Sequence, residues 1–309
     1  MSAKTTYKKH STFLGIVLKI LWILILVFLN ILLLRACYAC HVRATIGGKT
    51  GYLPDKEDWD NIPDVIPPYD DTDTLNLPEA VSLEKYFPPI GDQGDKGTCV
   101  AWAVGYNLKT ALNAIDGHWD QTQLAQPSNQ TSPKDLWLSI PQDQKGNECS
   151  GTGFEPALST LVRAGAASMQ DVPYRDLQGC IGSGIGDSNN RIANFYQVND
   201  NGKLPKTGEL KAFLADTIPL VIGAQLGDRF MTWRNDKVIK HDTYNYTGMH
   251  SYHAMVLVGY DDARHAFRIR NSWGTAWGDN GSIWVDYDFF CQEFCYAVLL
   301  AENNKVTNN

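Results

Sequence analysis

The sequence predicts an α+β fold in which helices come first and strands follow. Apolar residues recur at helical spacing from Cys99 to about residue 215, whereas short runs rich in Val, Ile and Leu follow from Leu220 onward. Residues 76–309 are numerous enough for one domain with a sizeable core. We therefore expect a helical lobe followed by a strand-rich lobe within a single domain.

Four helices are expected in the first lobe, at 99–115, Ser132–Ser139, Phe154–Ala164 and Glu209–Ala215. The first helix begins at Cys99 because Gly94, Gly97 and the polar residues between them predict a loop just before it. Unpaired N–H groups and the helix dipole favour an anion in a first turn. We therefore expect a lowered pKa for the Cys99 thiol.

Five strands are expected in the second lobe, at Leu220–Leu226, His253–Tyr260, Phe267–Asn271, Ser282–Tyr287 and Tyr296–Leu300. The stretch 178–208 is polar and rich in Gly and Asn, and the stretch 228–250 mixes aromatic with charged residues. Both stretches are interpreted as loops.

Three residues carry the candidate chemistry. Cys99 begins a helix, His253 begins a buried strand, and Asn271 ends a strand just before a Gly-rich turn. Each residue alone is more commonly structural than catalytic. Together they supply a nucleophile, a base and a group that orients the base.

The motifs around these residues match one family in the same order along the chain. The pattern Gln-Gly-x-x-Gly-x-Cys stands at Gln93–Cys99, His-Ala at His253–Ala254, and Asn-Ser-Trp-Gly-x-x-Trp-Gly at Asn271–Gly278. Over about Leu77–Leu300 the chain therefore resembles the papain-like cysteine peptidases of the C1 type. The resemblance implies a papain-like two-lobed fold, in which the active-site cleft separates the helical lobe from a strand-rich, barrel-like lobe.

The resemblance also implies a role for each catalytic residue. Cys99 is expected to be the nucleophile, and His253 the base that takes its proton and later protonates the leaving amine. Asn271 is expected to orient His253, and Gln93 to donate a side-chain N–H to the oxyanion. We expect neither a metal nor a cofactor.

Substrate contacts are expected from a segment that resembles the Gly-rich lining of the family's cleft. The residues predicted to bind substrate are Gly151, Thr152, Gly153 and Trp273. Trp273 is also expected to shield the hydrogen bond between His253 and Asn271 from water.

The chain departs from the family pattern at three places. Val100 follows the nucleophile where the family usually has Trp, and Trp102 stands two positions further on. Lys96 replaces a common Cys, so that Cys149 must pair with another thiol or stay free; we expect a Cys149–Cys180 disulfide. We also expect the long helical pro-segment of many relatives to be missing, and activation therefore to differ.

The N-terminal end predicts an association with a membrane. Residues 1–12 are expected to be a cytoplasmic basic tail, and the apolar run Phe13–Leu34 is long enough for a transmembrane anchor, which needs about 20 residues. Basic residues lie on both sides of this run in nearly equal numbers, so the positive-inside rule does not decide its orientation. We place the peptidase domain on the extracytoplasmic side; secretion after cleavage of an export signal is the alternative.

Residues 35–75 are interpreted as a tether, and 55–75 within it is acidic and contains several Pro residues. The residues from Leu77 onward resemble the usual start of the mature enzyme in the family. Because the stretch Asp55–Asp73 comes just before them, a further hypothesis is that this stretch lies over the cleft as an inhibitory strap. The formal net charge of the whole chain is −7, which does not indicate the basic surface that nucleic-acid binding requires.

The sequence therefore predicts a membrane-tethered thiol peptidase that acts on peptide or protein substrates through an acyl-enzyme. A Cys-His acyltransferase of the transglutaminase kind stays open as an alternative, because it shares the first chemical step. A non-catalytic peptide-binding relative also stays open. Cys291 and Cys295 are expected either to pair or to be two buried thiols; no oligomeric state is predicted.

Overall fold

The computed structural model describes residues 18–32, 50–54, 59–65, 76–146, 149–175, 182–198, 206–243 and 251–304. The chain divides into two compact units, Met1–Ile46 and Gly47–Asn309.

The first unit contains a helix at 18–32, the described part of the predicted membrane segment. Its large apolar side chains are exposed, from 44% for Ile25 to 63% for Trp22. Within the described residues, no helix has both the length and the apolar character needed to cross a membrane. The predicted basic tail, residues 1–12, lies outside the described residues.

In the second unit most helices precede most strands, as predicted, although two short strands, Asp64–Val65 and Ala80–Ser82, come before the first α-helix. Its helices are α1 (Cys99–Gly117, composed of Cys99–Ala101, Trp102–Lys109 and Thr110–Gly117), α2 (Gln121–Leu124), α3 (Pro133–Ser139), α4 (Phe154–Arg163), α5 (Thr207–Ala215), α6 (Asp228–Met231) and α7 (Tyr287–Phe294, composed of Tyr287–Phe289 and Phe290–Phe294). Short 3₁₀ turns lie at Trp59–Asn61, Glu84–Tyr86, Pro127–Asn129 and Gln142–Gln144.

The strands are β1 (Asp64–Val65), β2 (Ala80–Ser82), β3 (Ile192–Val198), β4 (Leu220–Leu226), β5 (Val238–Ile239), β6 (Ser251–Asp261), β7 (Ala266–Arg270), β8 (Ser282–Asp286) and β9 (Cys295–Asn303). In the described part of the chain they form one sheet in the order β1-β3-β9-β4-β6-β7-β8-β5, and β2 pairs with the last residues of β6, Gly259–Asp261. Most pairings are antiparallel, and β6 lies near the centre. Residues on β6 are therefore held by neighbours on both sides.

Helix α1 is buried on every side along most of its length. Its middle part, Trp102–Lys109, is a π-helix, and all eight of its residues are buried, including Asn107 and Lys109. The apolar spacing in the sequence predicted this helix, but that spacing indicates burial of one face only. The whole circumference is buried because the sheet covers one side of α1 while α3 and α4 cover others.

Two stretches predicted as loops contain regular structure, so those predictions were wrong. Within 178–208, β3 pairs antiparallel with β9 over much of its length, and its outer neighbour is β1. Within 228–250, α6 and β5 form. Polar residues interrupt β3, and pairing with β9 rather than an apolar alternation makes it a strand.

Part of the predicted tether belongs to the second unit and is folded within it. Ile62 is 3% exposed, and β1 adds a parallel strand beside β3. The Gln197 N–H donates to the Pro63 carbonyl at 3.0 Å. The remaining residues of the acidic stretch, 55–58 and 66–75, lie outside the described residues.

Candidate active site

Cys99 is the first residue of α1 and is fully buried. The Thr98 and Gly97 backbone leads into the helix without a side-chain cap. The Cys99 Sγ accepts a hydrogen bond from the Ala254 N–H at 3.5 Å. That contact joins the start of α1 to β6, next to His253.

His253 is the third residue of β6 and is fully buried. Its Nε2 lies 2.7 Å from Asn271 Oδ1. Because the Ser272 N–H also donates to that oxygen at 2.7 Å, the oxygen is the acceptor and Nε2 carries the proton. The other ring nitrogen, Nδ1, is buried without a hydrogen-bond partner and is left as a free base.

Asn271 follows β7 and is positioned by the Gly-rich turn that comes after it. Its N–H donates to the Gly281 carbonyl at 3.0 Å. Trp273, which is 6% exposed, packs on the His253 ring with centroids 4.7 Å apart. An apolar ring over a buried hydrogen bond excludes water and strengthens the bond. Trp273 therefore lies where shielding of the His253–Asn271 pair was expected.

Gln93 is buried in the loop before α1, and its side chain is held at both ends. Its Nε2 donates to the Lys96 carbonyl at 2.8 Å, and its Oε1 accepts from Ser272 Oγ at 2.7 Å. Its backbone N–H donates to the Ser272 carbonyl at 2.9 Å. The loop that carries Gln93 is thereby tied to the turn that carries Asn271.

The expectation of a lowered thiol pKa is not met in this arrangement. Burial raises the pKa of Cys99 to about 12, although the N–H groups of Ala254, Gly51, Val100 and Cys99 hydrogen bond with the thiol and oppose the shift. Burial also lowers the pKa of His253 to about 4, against the opposing hydrogen bond to Asn271. For both groups, burial disfavours the charged form more strongly than the hydrogen bonds favour it. The thiol and the imidazole are therefore both neutral near pH 7.

The predicted substrate segment lies beside the same site. Gly151 and Thr152 precede α4, and Gly153 is its N-cap. Thr152 hydrogen bonds with residues 50–54 of the same chain, through its N–H to the Gly51 carbonyl at 2.9 Å and its carbonyl from the Leu53 N–H at 3.0 Å. The cleft wall is thus already occupied by a piece of this protein.

The residues at the family departures have clear positions. Val100 is fully buried, and the Trp102 ring packs on Tyr106 and Tyr174 with centroids 4.8 Å away in each case. The aromatic ring is therefore moved within the helix rather than lost. Cys149 is disulfide-bonded, and its expected partner Cys180 lies outside the described residues.

The two thiols of α7 and β9 are free. Cys295 is buried, whereas Cys291 is half-buried. The two thiols are therefore unpaired, but the expectation that both are buried holds for Cys295 alone.

Two positioning residues were missed by sequence reasoning. Ser272 holds the Gln93 side chain, and the Tyr174 hydroxyl donates to the Gln93 carbonyl at 3.0 Å. The Tyr174 hydroxyl is also 2.7 Å from Thr98 Oγ1. Ser272 stands in the Asn271–Gly278 motif, and Tyr174 lies within the stretch Leu77–Leu300 that resembles the family, but only the fold shows that they contact Gln93.

Comparisons with known proteins show the family to which the chain belongs. The model of the papain family of cysteine proteases matches residues 77–295. The chain therefore belongs to the papain family of cysteine peptidases. It is 28% identical over 207 residues to gamete and mating-type specific protein A of Dictyostelium discoideum, covering 65% of this chain and 41% of that protein.

Similarity to a second relative extends over a comparable length. The chain is 25% identical over 219 residues to cysteine proteinase 2 of Entamoeba histolytica, covering 68% of this chain and 64% of the relative. The chain thus spans less than two thirds of the length of either relative.

Solved structures confirm the predicted papain-like fold. Xylellain, a cysteine protease from Xylella fastidiosa, superposes with a TM-score of 0.65 at 22% identity, covering 84% of this chain and 97% of that one. A recombinant stem bromelain precursor superposes with a TM-score of 0.64 at 18% identity, covering 84% and 79%.

Proposed function

We propose that this protein is a thiol peptidase that hydrolyses peptide bonds through a Cys99 acyl-enzyme. The proposal depends on the surroundings of the buried His253. Its Nε2–H donates to Asn271, and its Nδ1 has no hydrogen-bond partner. The next residue, Ala254, donates its N–H to the Cys99 sulfur, so His253 is adjacent to the thiol along β6. A base fixed in one tautomer, next to a thiol at a helix start, is the arrangement that nucleophilic catalysis requires. Membership of the papain family supports the same assignment.

The first half of the reaction forms the acyl-enzyme. His253 Nδ1 takes the thiol proton, and the sulfur attacks the substrate carbonyl carbon to give a tetrahedral oxyanion. The Gln93 amide has a second N–H besides the one given to Lys96, and we assign that N–H and the Cys99 backbone N–H to the oxyanion. The imidazolium of His253 then protonates the leaving amine as the C–N bond breaks.

The second half releases the acid. A water molecule loses a proton to His253 Nδ1 and attacks the thioester, and the Cys99 sulfur leaves and regains the proton. Asn271 holds Nε2 throughout, so the ring exchanges protons at Nδ1 alone. Thr152 offers a backbone N–H and carbonyl that can pair with an extended peptide, as they do with residues 50–54.

The test is hydrolysis of a mixed fluorogenic peptide library by the full chain, with Cys99→Ala and His253→Ala as matched variants. Because residues 50–54 lie over the site, the same assays are run in a Gly51→Ala background. We expect cleavage that both catalytic variants abolish. Cleavage that survives Cys99→Ala would overturn the proposal.

The same preparations separate the two alternatives. A Cys-His acyltransferase would form product only when an amine acceptor is added. A peptide-binding relative would bind peptides but leave Cys99 unreactive towards an epoxide-type thiol-peptidase inactivator. We expect hydrolysis without added amine and a single Cys99 adduct.

We propose further that Phe13–Leu34 tethers the chain to a membrane, with the peptidase domain on the extracytoplasmic side. The exposed apolar side chains of helix 18–32 and the disulfide at Cys149 support this location. The measurement is extraction of the full chain from membranes at high pH, with protease protection to report the side. Recovery of a chain that lacks residues 1–34 from the medium would favour secretion instead.

A further inference from the structure

Asp242 is a carboxylate, 9% exposed, that binds the start of helix α6. Its Oδ2 accepts hydrogen bonds from the Gly227 N–H at 2.8 Å and the Phe230 N–H at 3.3 Å. Its Oδ1 accepts from the Arg229 N–H at 2.8 Å and from the N–H of its neighbour Thr243 at 2.7 Å. The N-cap residue of α6, Gly227, has no side chain that could make these bonds. A residue that is distant in sequence therefore caps the helix.

The start of α6 and the segment 242–243 approach each other so closely that only glycine fits between them. A Cβ on Gly227 would lie 2.6 Å from Asp242 Cγ and 2.6 Å from the Thr243 carbonyl oxygen. That carbonyl accepts the Asp228 N–H at 2.7 Å. All four N–H groups from Gly227 to Phe230 are thereby bonded to residues 242 and 243.

Phe230 connects this corner to the catalytic pair. It is fully buried, and its ring centroid lies 5.6 Å from that of Trp273 and 4.7 Å from that of Trp277. Its carbonyl accepts the Trp277 Nε1–H at 3.0 Å. The two Trp rings are 5.3 Å apart, and Trp273 in turn packs on His253. Phe230 therefore contacts the ring that shields the His253 hydrogen bond.

We propose that Asp242 is a positioning residue of the active site. By fixing α6 it holds Phe230 against Trp273, and it thereby keeps water from the hydrogen bond between His253 and Asn271. The consequence for catalysis rests on the proposed peptidase function. A carboxylate suits this role because its two oxygens together can accept all the backbone N–H groups that point at it.

The test substitution is Asp242→Asn, because an amide has one acceptor oxygen and would turn its NH₂ group towards backbone donors. Asp135→Asn is the matched control. Asp135, in α3, is fully buried, and its oxygens accept the N–H groups of Ala167 at 2.8 Å, Ile185 at 2.7 Å and Gly186 at 3.2 Å. Each substitution leaves a comparable set of backbone donors without a carboxylate. Both should therefore lower the urea midpoint of unfolding by similar amounts.

The first measurement follows the Nε2–H of His253 by proton NMR, in the full chain with isotope-labelled histidine in detergent solution. Loss of the resonance in His253→Gln assigns it, and magnetisation transfer from water gives its exchange rate. We expect roughly tenfold faster exchange in Asp242→Asn and the wild-type rate in Asp135→Asn. Equal exchange rates in these two variants, or an unprotected Nε2–H in the wild type, would overturn the proposal.

A second variant, Phe230→Leu, covers the case in which Asp242→Asn does not fold. Leucine keeps the backbone N–H and carbonyl of this position and an apolar side chain, but it removes the ring that contacts Trp273. The Nε2–H of His253 should again exchange faster than in the wild type. A wild-type exchange rate in a folded Phe230→Leu chain would refute the link between α6 and the catalytic pair.

The second measurement is steady-state peptide cleavage in the Gly51→Ala background. This substitution displaces residues 50–54, because the added Cβ would lie 2.0 Å from the Gly97 carbonyl oxygen. We expect Asp242→Asn to lower kcat roughly tenfold with little change in KM, since a small misplacement of the catalytic base slows the chemical step. Asp135→Asn should leave kcat unchanged. A similar loss of kcat in both variants would assign the effect to stability alone.

The double variant shows whether Asp242 acts through the Trp ring. Once Trp273→Ala has removed the shield, Asp242→Asn should cause no further loss of kcat, because both changes expose the same hydrogen bond. Losses that multiply would contradict the proposed route.

The positioning role and the peptidase function fail in different ways. Faster Nε2–H exchange in Asp242→Asn, without peptide cleavage by any of the chains, would refute the peptidase function and leave the positioning role intact. Peptide cleavage that Asp242→Asn leaves unchanged, together with an unchanged exchange rate, would refute the positioning role and leave the function intact.

Discussion

His253 donates its Nε2–H to Asn271 Oδ1 across 2.7 Å, beneath the Trp273 ring. This bond decides which ring nitrogen is a base. Because the same oxygen accepts the Ser272 N–H, the Asn271 amide cannot rotate without losing two hydrogen bonds. The unpaired Nδ1 is therefore the nitrogen available to the thiol.

Replacing Asn271 with Ala should lower kcat roughly 10- to 100-fold with a smaller change in KM, because the imidazole loses its fixed tautomer and orientation. The assay uses the Gly51→Ala background, so that the cleft is open. The exposed Asn235→Ala is the matched control and should keep full activity. An unchanged kcat for Asn271→Ala would refute the orienting role.

Replacing Gln93 with Ala should lower kcat on the order of 100-fold, because one oxyanion donor is lost. Ser272→Ala should cause a smaller loss, since it keeps the amide but removes the hydroxyl that holds Gln93 Oε1 at 2.7 Å. Steady-state kinetics on both variants and on the double variant would measure this dependence. If the effects of the two single variants multiply in the double variant, Ser272 does not act through Gln93.

The buried His253 should make the folded domain less stable as the pH falls. Burial lowers its pKa from 6.5 to about 4, so the unfolded chain binds a proton between these values while the folded chain does not. Stability contributed by neutral His253 is full above about pH 6.5 and is lost as the pH falls to about 4, amounting to about 3 kcal/mol.

Urea unfolding of the full chain between pH 4 and pH 7 measures this slope. The difference between wild type and His253→Gln should show it. A His253→Gln chain with the wild-type slope would show that another group causes the loss.

Arg270, on β7 just before Asn271, should be important for folding. It is 5% exposed, its Nε donates to Asn107 Oδ1 at 3.0 Å, and its other end donates to the Pro88 carbonyl. Arg270→Met should cost about 2 to 4 kcal/mol, because two buried oxygens lose their donors. The exposed Arg163→Met, at the end of α4, should change the free energy of unfolding by less than about 0.5 kcal/mol. Equal unfolding midpoints for the two variants would contradict the prediction.

Several features of this protein could be predicted from the sequence because they depend on local patterns. Apolar spacing placed α1, α3 and α4, and the Val-rich runs placed β4 and β6, since helices and strands with strong periodicity form wherever their faces are buried. The motif residues Cys99, His253 and Asn271 were predicted from residue types at element boundaries, where chemistry is commonly placed.

Other features depend on partners that are distant in sequence. The residues of β3 do not alternate strongly between apolar and polar, so the sequence did not predict a strand there. β3 is a strand because its backbone pairs antiparallel with β9. The pKa of Cys99 rises rather than falls, since complete burial outweighs the local effect of the helix start.

What the sequence determined by itself was the family and the general order of helices and strands, and it also supplied the residues that we propose as the reactive groups. Only the tertiary structure decided that the Gly51 N–H reaches the Cys99 thiol and that the Tyr52 ring packs on Phe154. The physical reason is that a glycine and a tyrosine in a short polar stretch carry no local signal. Their close approach to Gly97 and Phe154 exists only after residues far apart in the chain have packed together.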